Sequence, residues 1–89
     1  MTLYNHFSLF FEGFTLDKLR EKLRGCGDCE PYDYIDDVEG DFPIIAFFGT
    51  PKSVDEVQQY LKDSLGFRAP TGDQIEQLGF DGAREFARS

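Results

Sequence analysis

The sequence predicts an α+β fold, a small two-layer β-α-β-β-α sandwich with a three-stranded antiparallel or mixed sheet and an extra C-terminal helical segment. Three observations carry this expectation. Ser53-Val-Asp-Glu56 is a capping box, and it opens a run that places Val54, Val57, Leu61 and Leu65 on one helical face. Phe7, Leu9 and Phe11 alternate with His6, Ser8 and Glu12, the period of a strand. Two extended runs, Tyr32–Val38 and Phe42–Phe48, flank Glu39-Gly40-Asp41 in the manner of a hairpin.

The elements follow in order. Leu3–Glu12 reads as the first strand, with Phe10 placing a ring on its polar face. Thr15–Arg24 reads as a helix with Thr15 as N-cap, a Phe14–Leu19 staple, and Leu16, Leu19 and Leu23 as its buried stripe. Lys22 and Arg24 suit its negative end, and Gly25 can take the left-handed position that closes it. The run Phe42-Pro-Ile-Ile-Ala-Phe-Phe48 is apolar throughout, so both faces of that strand should be at least partly covered. Val54–Leu65 is the best-capped helix, closed by Gly66 with Phe67 folding back. Thr71–Phe86 reads as a further helix with Ile75, Leu78, Ala83 and Phe86 inward and a break near Phe80-Asp81. With the helices on one side of the sheet, Phe10 and one of Phe47 or Phe48 should point to the other side.

Residues 1–89 are long enough for a single domain and too short for a second one. Ten Phe and four Tyr supply a core despite a net charge of −8. The N-terminal stretch lacks a basic region followed by an apolar run, so a cytoplasmic location is expected. Acidity of this size disfavours direct nucleic-acid or membrane binding, since phosphate contacts need Lys and Arg.

The charge is segregated. Residues 26–41 hold seven carboxylates (Asp28, Glu30, Asp33, Asp36, Asp37, Glu39 and Asp41) and no Lys or Arg. Tyr32 and Tyr34 are interleaved with them. Such a stretch attracts cationic surfaces, and tyrosine is enriched where proteins bind one another. The expected contact surface for a basic protein partner is therefore Tyr32, Asp33, Tyr34, Asp36, Asp37, Glu39 and Asp41.

Catalytic readings fare worse. Cys26-Gly-Asp-Cys29 has redox spacing, but it follows a helix and stands among carboxylates, both of which disfavour a thiolate. A zinc site wants four ligands, and the remaining soft ligand, His6, is distant in sequence. No register of the acidic run fits a calcium-binding loop. We therefore expect no enzyme activity and no cofactor.

In size, acidity and segregation of charge the chain resembles small phage counter-defence proteins, anti-CRISPR and anti-restriction inhibitors among them. That resemblance implies a non-catalytic inhibitor that occupies the nucleic-acid-binding surface of a larger basic protein, partly mimicking nucleic acid. Carboxylates at strand spacing, roughly 3.3–7 Å apart, approach the spacing of phosphates. The alternatives are an immunity protein or antitoxin that neutralises a nuclease toxin, and a small metal- or redox-linked enzyme using the two cysteines. A homodimer through the open sheet face is a further expectation.

Overall fold

In the computed structural model, described over residues 3–36 and 39–89, the chain runs β1 (Asn5–Phe11), α1 (Leu16–Leu23), β2 (Asp33–Asp36), β3 (Ile44–Thr50), α2 (Val54–Leu65) and α3 (Gly72–Arg88). The three strands form one antiparallel sheet in the order β1-β3-β2. The α+β sandwich is thus as the sequence implies, with the most apolar strand in the centre, where it pairs on both sides.

The strand ends are trimmed for local reasons. β1 stops before Glu12, whose carboxylate is taken by Arg84 and Arg88. β3 begins after Pro43, which has no N–H to give a ladder. β2 has four residues; Tyr32 precedes it but donates its N–H to Phe47 O at 2.9 Å. The end of the predicted second strand, Asp37 and Val38, lies outside the described residues.

The helices start where their caps stand. Thr15 Oγ1 accepts from Lys18 N–H, and the boxes of Ser53 with Glu56 and of Thr71 with Gln74 are both closed. Gly66 ends α2 at φ 72°, a left-handed position that a side chain would strain. Phe14 sits edge-on to Phe11 and to Phe67, with centroids 6.1 and 5.6 Å away. Phe67 therefore closes an aromatic triangle over the end of β1.

α3 departs from expectation. Its break is at Gly79 (φ 76°, ψ 172°), just before Phe80, and it runs on to Arg88. The break rotates the helical face. Ala83 and Ala87 are buried, whereas Leu78, expected inside, is 48% exposed.

All of the helices pack on one side of the sheet. Leu9 and Phe11 of β1 and Ile44, Ala46 and Phe48 of β3 meet Leu19, Leu23, Val57, Leu61, Ala83 and Ala87 there. Each large side chain buried in this way contributes about 1.5–3 kcal/mol. Gln58 is buried too, and its amide donates to Ala69 O and Gln74 Oε1 at 2.9 and 2.8 Å, tying α2 to the start of α3. Pro70 O accepts from Phe10 N–H at 2.9 Å, and Thr71 bridges Leu9, so the outer edge of β1 is closed at these positions. Among the described residues no helix is long and apolar enough to cross a membrane.

Candidate partner-binding face

The side of the sheet away from the helices is read from the register. Phe10 lies opposite Ile45, and Ile45 lies opposite Ile35. One apolar row therefore crosses all three strands. In the next row Ser8, Phe47 and Asp33 are aligned. Side chains so paired stand about 4.5–5.5 Å apart and touch. Tyr32 adds to the patch by leaning on Phe47, ring centroids 6.5 Å apart. Its approach uses Gly49, where a Cβ would come within 3.7 Å of the Tyr32 ring and 3.1 Å of the His6 imidazole.

Exposure differs sharply between the two sides of β3. Ile44, Ala46, Phe48 and Thr50 are buried, while Ile45, Phe47 and Gly49 stay partly exposed. Ile35 is 40% and Tyr32 68% exposed. Of the rings proposed for this side, Phe10 and Phe47 are the ones found there; Phe48 is in the core, stacked on Phe7 at 5.3 Å.

The seven residues expected to form one contact surface are dispersed around this patch. Tyr32 and Asp33 border it directly. Tyr34 opposes Ala46 and so faces the helices, half-buried, with the Arg20 guanidinium 5.4 Å from its ring centre. Burial pushes its hydroxyl pKa up. Asp36 is exposed on the helix side of β2. Asp37 lies outside the described residues. Glu39 is exposed at the end of the sheet.

Asp41 has an internal role. Its carboxylate pairs with Arg84 Nη2, while Arg84 Nε reaches Glu12 at 2.7 Å and Nη1 reaches Asp81 at 3.0 Å. The Glu12 and Asp41 carboxylates hold the guanidinium pKa even higher than usual. This cluster fastens the turn before β3 to the end of β1 and to α3. Of the described carboxylates expected on the contact surface, Asp41 is the one held in an ion pair.

The sequence reading names Phe10 and one of Phe47 or Phe48 for this face but not Ile35 or Ile45, which the register places beside them. The signal was present: a strand apolar at every position has twice the apolar residues one helical layer can cover.

The two cysteines stand apart from this patch. Burial pushes the Cys29 thiol up, with nearby Lys52 pulling the other way. Cys26 Sγ accepts a hydrogen bond from the Tyr60 hydroxyl at 3.0 Å, which in turn raises the Tyr60 pKa. The expected direction for the thiols thus holds at Cys29, through burial more than through the carboxylates. Among the described residues no group of three or more His, Cys, Asp or Glu side chains converges as metal ligands do.

Comparison with protein families, curated proteins and solved structures finds no match to this chain.

Proposed function

We propose that this protein is a non-catalytic inhibitor that docks its open sheet face and acidic β2 margin on a cationic surface of a larger protein, excluding nucleic acid from it. The observation that carries this reading is the cross-strand row Phe10–Ile45–Ile35, extended by Phe47 and Tyr32 and bordered by Asp33. An apolar patch with aromatic rings and a charged border is the usual anatomy of a protein-binding site. The sign of the border selects the partner. A surface rich in Lys and Arg complements Asp33, Asp36 and Glu39, and the net charge of −8 accelerates the encounter. A second copy of the chain complements it poorly, since two acidic margins would face each other across the same patch. The phage counter-defence setting rests on the resemblance in size and charge alone.

The test begins with affinity capture from the source cell and identification of the bound protein, followed by rate measurements on the purified pair. Asp33, Asp36 and Glu39 are changed together to Asn, Asn and Gln, and Asp41 is left intact to spare the Arg84 cluster. The expected outcome is an association rate that falls steeply as salt shortens the Debye length to about 8 Å, and a variant that has lost most of this dependence. The wild-type protein should displace nucleic acid from the partner. A variant with unchanged affinity and salt dependence, or a partner that holds both ligands at once, overturns the reading.

A further inference from the structure

Beyond Phe10 the open face runs into a groove of about 210 Å³ between the end of the sheet and α3. Phe10, Phe42, Ile75 and Phe80 line it, with Gly40 and Gly72 in its walls. Two local features shape it. The break at Gly79 turns Phe80 toward Phe42, ring centroids 6.2 Å apart, while leaving it 51% exposed. Gly72 leaves room beside Phe10, where a Cβ would stand 3.5 Å from the ring. The groove falls short of the roughly 300–1,000 Å³ of a small-molecule site, so its scale is that of one side chain.

Its electrostatics are one-sided. Its lining includes Glu39 and Asp41 and no Lys or Arg, and the segment 72–81 that carries Gly72, Ile75 and Phe80 adds Asp73, Glu76 and Asp81 beside them in sequence, again with no Lys or Arg. Arg84 pairs with Asp41 and Asp81. Glu39, Asp73 and Glu76 have no ion pair among the described residues. Glu39 and Asp41 are the end of the acidic run 26–41, and Asp73, Glu76 and Asp81 come from a part of the chain remote from it in sequence. An apolar slot with uncompensated carboxylates around it complements an apolar side chain flanked by cations.

We infer that this groove takes a single aliphatic or aromatic side chain from a lysine- or arginine-bearing segment of the partner protein. The inference rests on the proposed function and deepens it by naming an anchor. The partner's cationic residues meet Glu39 at the groove and the exposed Asp73 and Glu76 next to Gly72 and Ile75 on α3, while its apolar side chain covers Phe80 and Ile75. An apolar side chain seated in a pocket and shielded by the contacts around it is how a few residues come to dominate an interface.

The full-length protein, labelled with nitrogen-15, is titrated with a synthetic Lys/Leu amphipathic peptide, with Lys/Ser and Glu/Leu peptides of equal length as controls. The expected result is amide shifts concentrated at Gly40, Gly72 and Ile75 with the Lys/Leu peptide alone. Gly72→Leu, which fills the groove, and Phe80→Ser, which removes its wall, should each weaken that peptide about tenfold, a change of about 1.4 kcal/mol. Circular dichroism checks both variants; Gly72→Leu serves if Phe80→Ser unfolds. Equal binding of the Lys/Ser peptide, or undiminished binding by Gly72→Leu, overturns the inference. The same variants are then tested on the captured partner. If they bind it normally while the Asp33/Asp36/Glu39 variant does not, the groove inference falls and the proposed function stands. If the peptide behaves as expected and the partner binds the Asp33/Asp36/Glu39 variant with unchanged affinity and salt dependence, the proposed function falls.

Discussion

The two faces of β3 are made of the same kind of residue and meet different fates. Ile44, Ala46 and Phe48 vanish under the helices, whereas Ile45 and Phe47 on the opposite face stay half in solvent. Folding alone accounts for the first set. It does not account for the second, because one helical layer covers one side of a sheet. A strand that kept only its fold would be expected to alternate apolar with polar, as β1 does through His6 and Ser8. The apolar residues on the uncovered side of β3 are therefore the part of the sequence that stability least explains.

Stability measurements should separate the faces most strongly. Phe48→Ala is expected to cost about 3–5 kcal/mol and Leu61→Ala about 2–4 kcal/mol in urea unfolding. Phe47→Ala should cost only about 1 kcal/mol, and Tyr32→Ala should stay within about 0.5 kcal/mol. If Phe47→Ala destabilises as much as Phe48→Ala, the faces are equivalent, and the open side is core in solution.

A smaller effect concerns the Arg84 cluster, which holds the end of the open side in place. Arg84→Gln should lower the melting temperature modestly and speed amide exchange at Gly40 and Asp41. Unchanged exchange there would mean the turn before β3 does not depend on Arg84.

The smallest effect is a pH dependence. Cys29, Tyr34 and Tyr60 all titrate above their ordinary values, the first two chiefly through burial and Tyr60 chiefly through its hydrogen bond to Cys26. A raised native pKa means the folded chain holds protons that the unfolded chain has released. The associated stability is whole below the ordinary thiol value of 9.0 and is lost as the pH climbs through the native values. Unfolding midpoints should therefore decline from about pH 9 upward, and less so in Cys29→Ala. Native Cys29 should also react slowly with iodoacetamide at neutral pH. A stability curve flat to about pH 11 would contradict both the burial of the thiol and the Tyr60 bond.

Much of the fold was legible. The capping boxes at Ser53 and Thr71 and the alternation of β1 carry their elements, because each is a local pattern with one structural solution. Two things were not legible. Leu78 looked inward by helical spacing with a break expected at Phe80-Asp81; the break falls at Gly79, directly after Leu78, which is 48% exposed. The acidic run looked like one surface because its residues are neighbours in sequence. In space Tyr34 turns toward α1, Asp41 is held by Arg84, and Glu39 lines a groove with Gly72, Ile75 and Phe80 from another part of the chain. Charge counting finds how much charge there is; the strand register and one salt-bridge partner decide where it points.

The two edges of the sheet are guarded in different ways. Pro70 and Thr71 close β1 at Leu9 and Phe10, so an added strand at that end of the sheet would have to approach β2. There it would meet four residues, two of them aspartates, with the Tyr34 amide already occupied by Asp33 Oδ1 at 2.9 Å. A short, charged, self-satisfied margin is a poor template for templated stacking. A chain with so many exposed rings thus carries its own gatekeeper against fibril growth, and neutralising Asp33 and Asp36 should shorten the lag before it aggregates at high concentration.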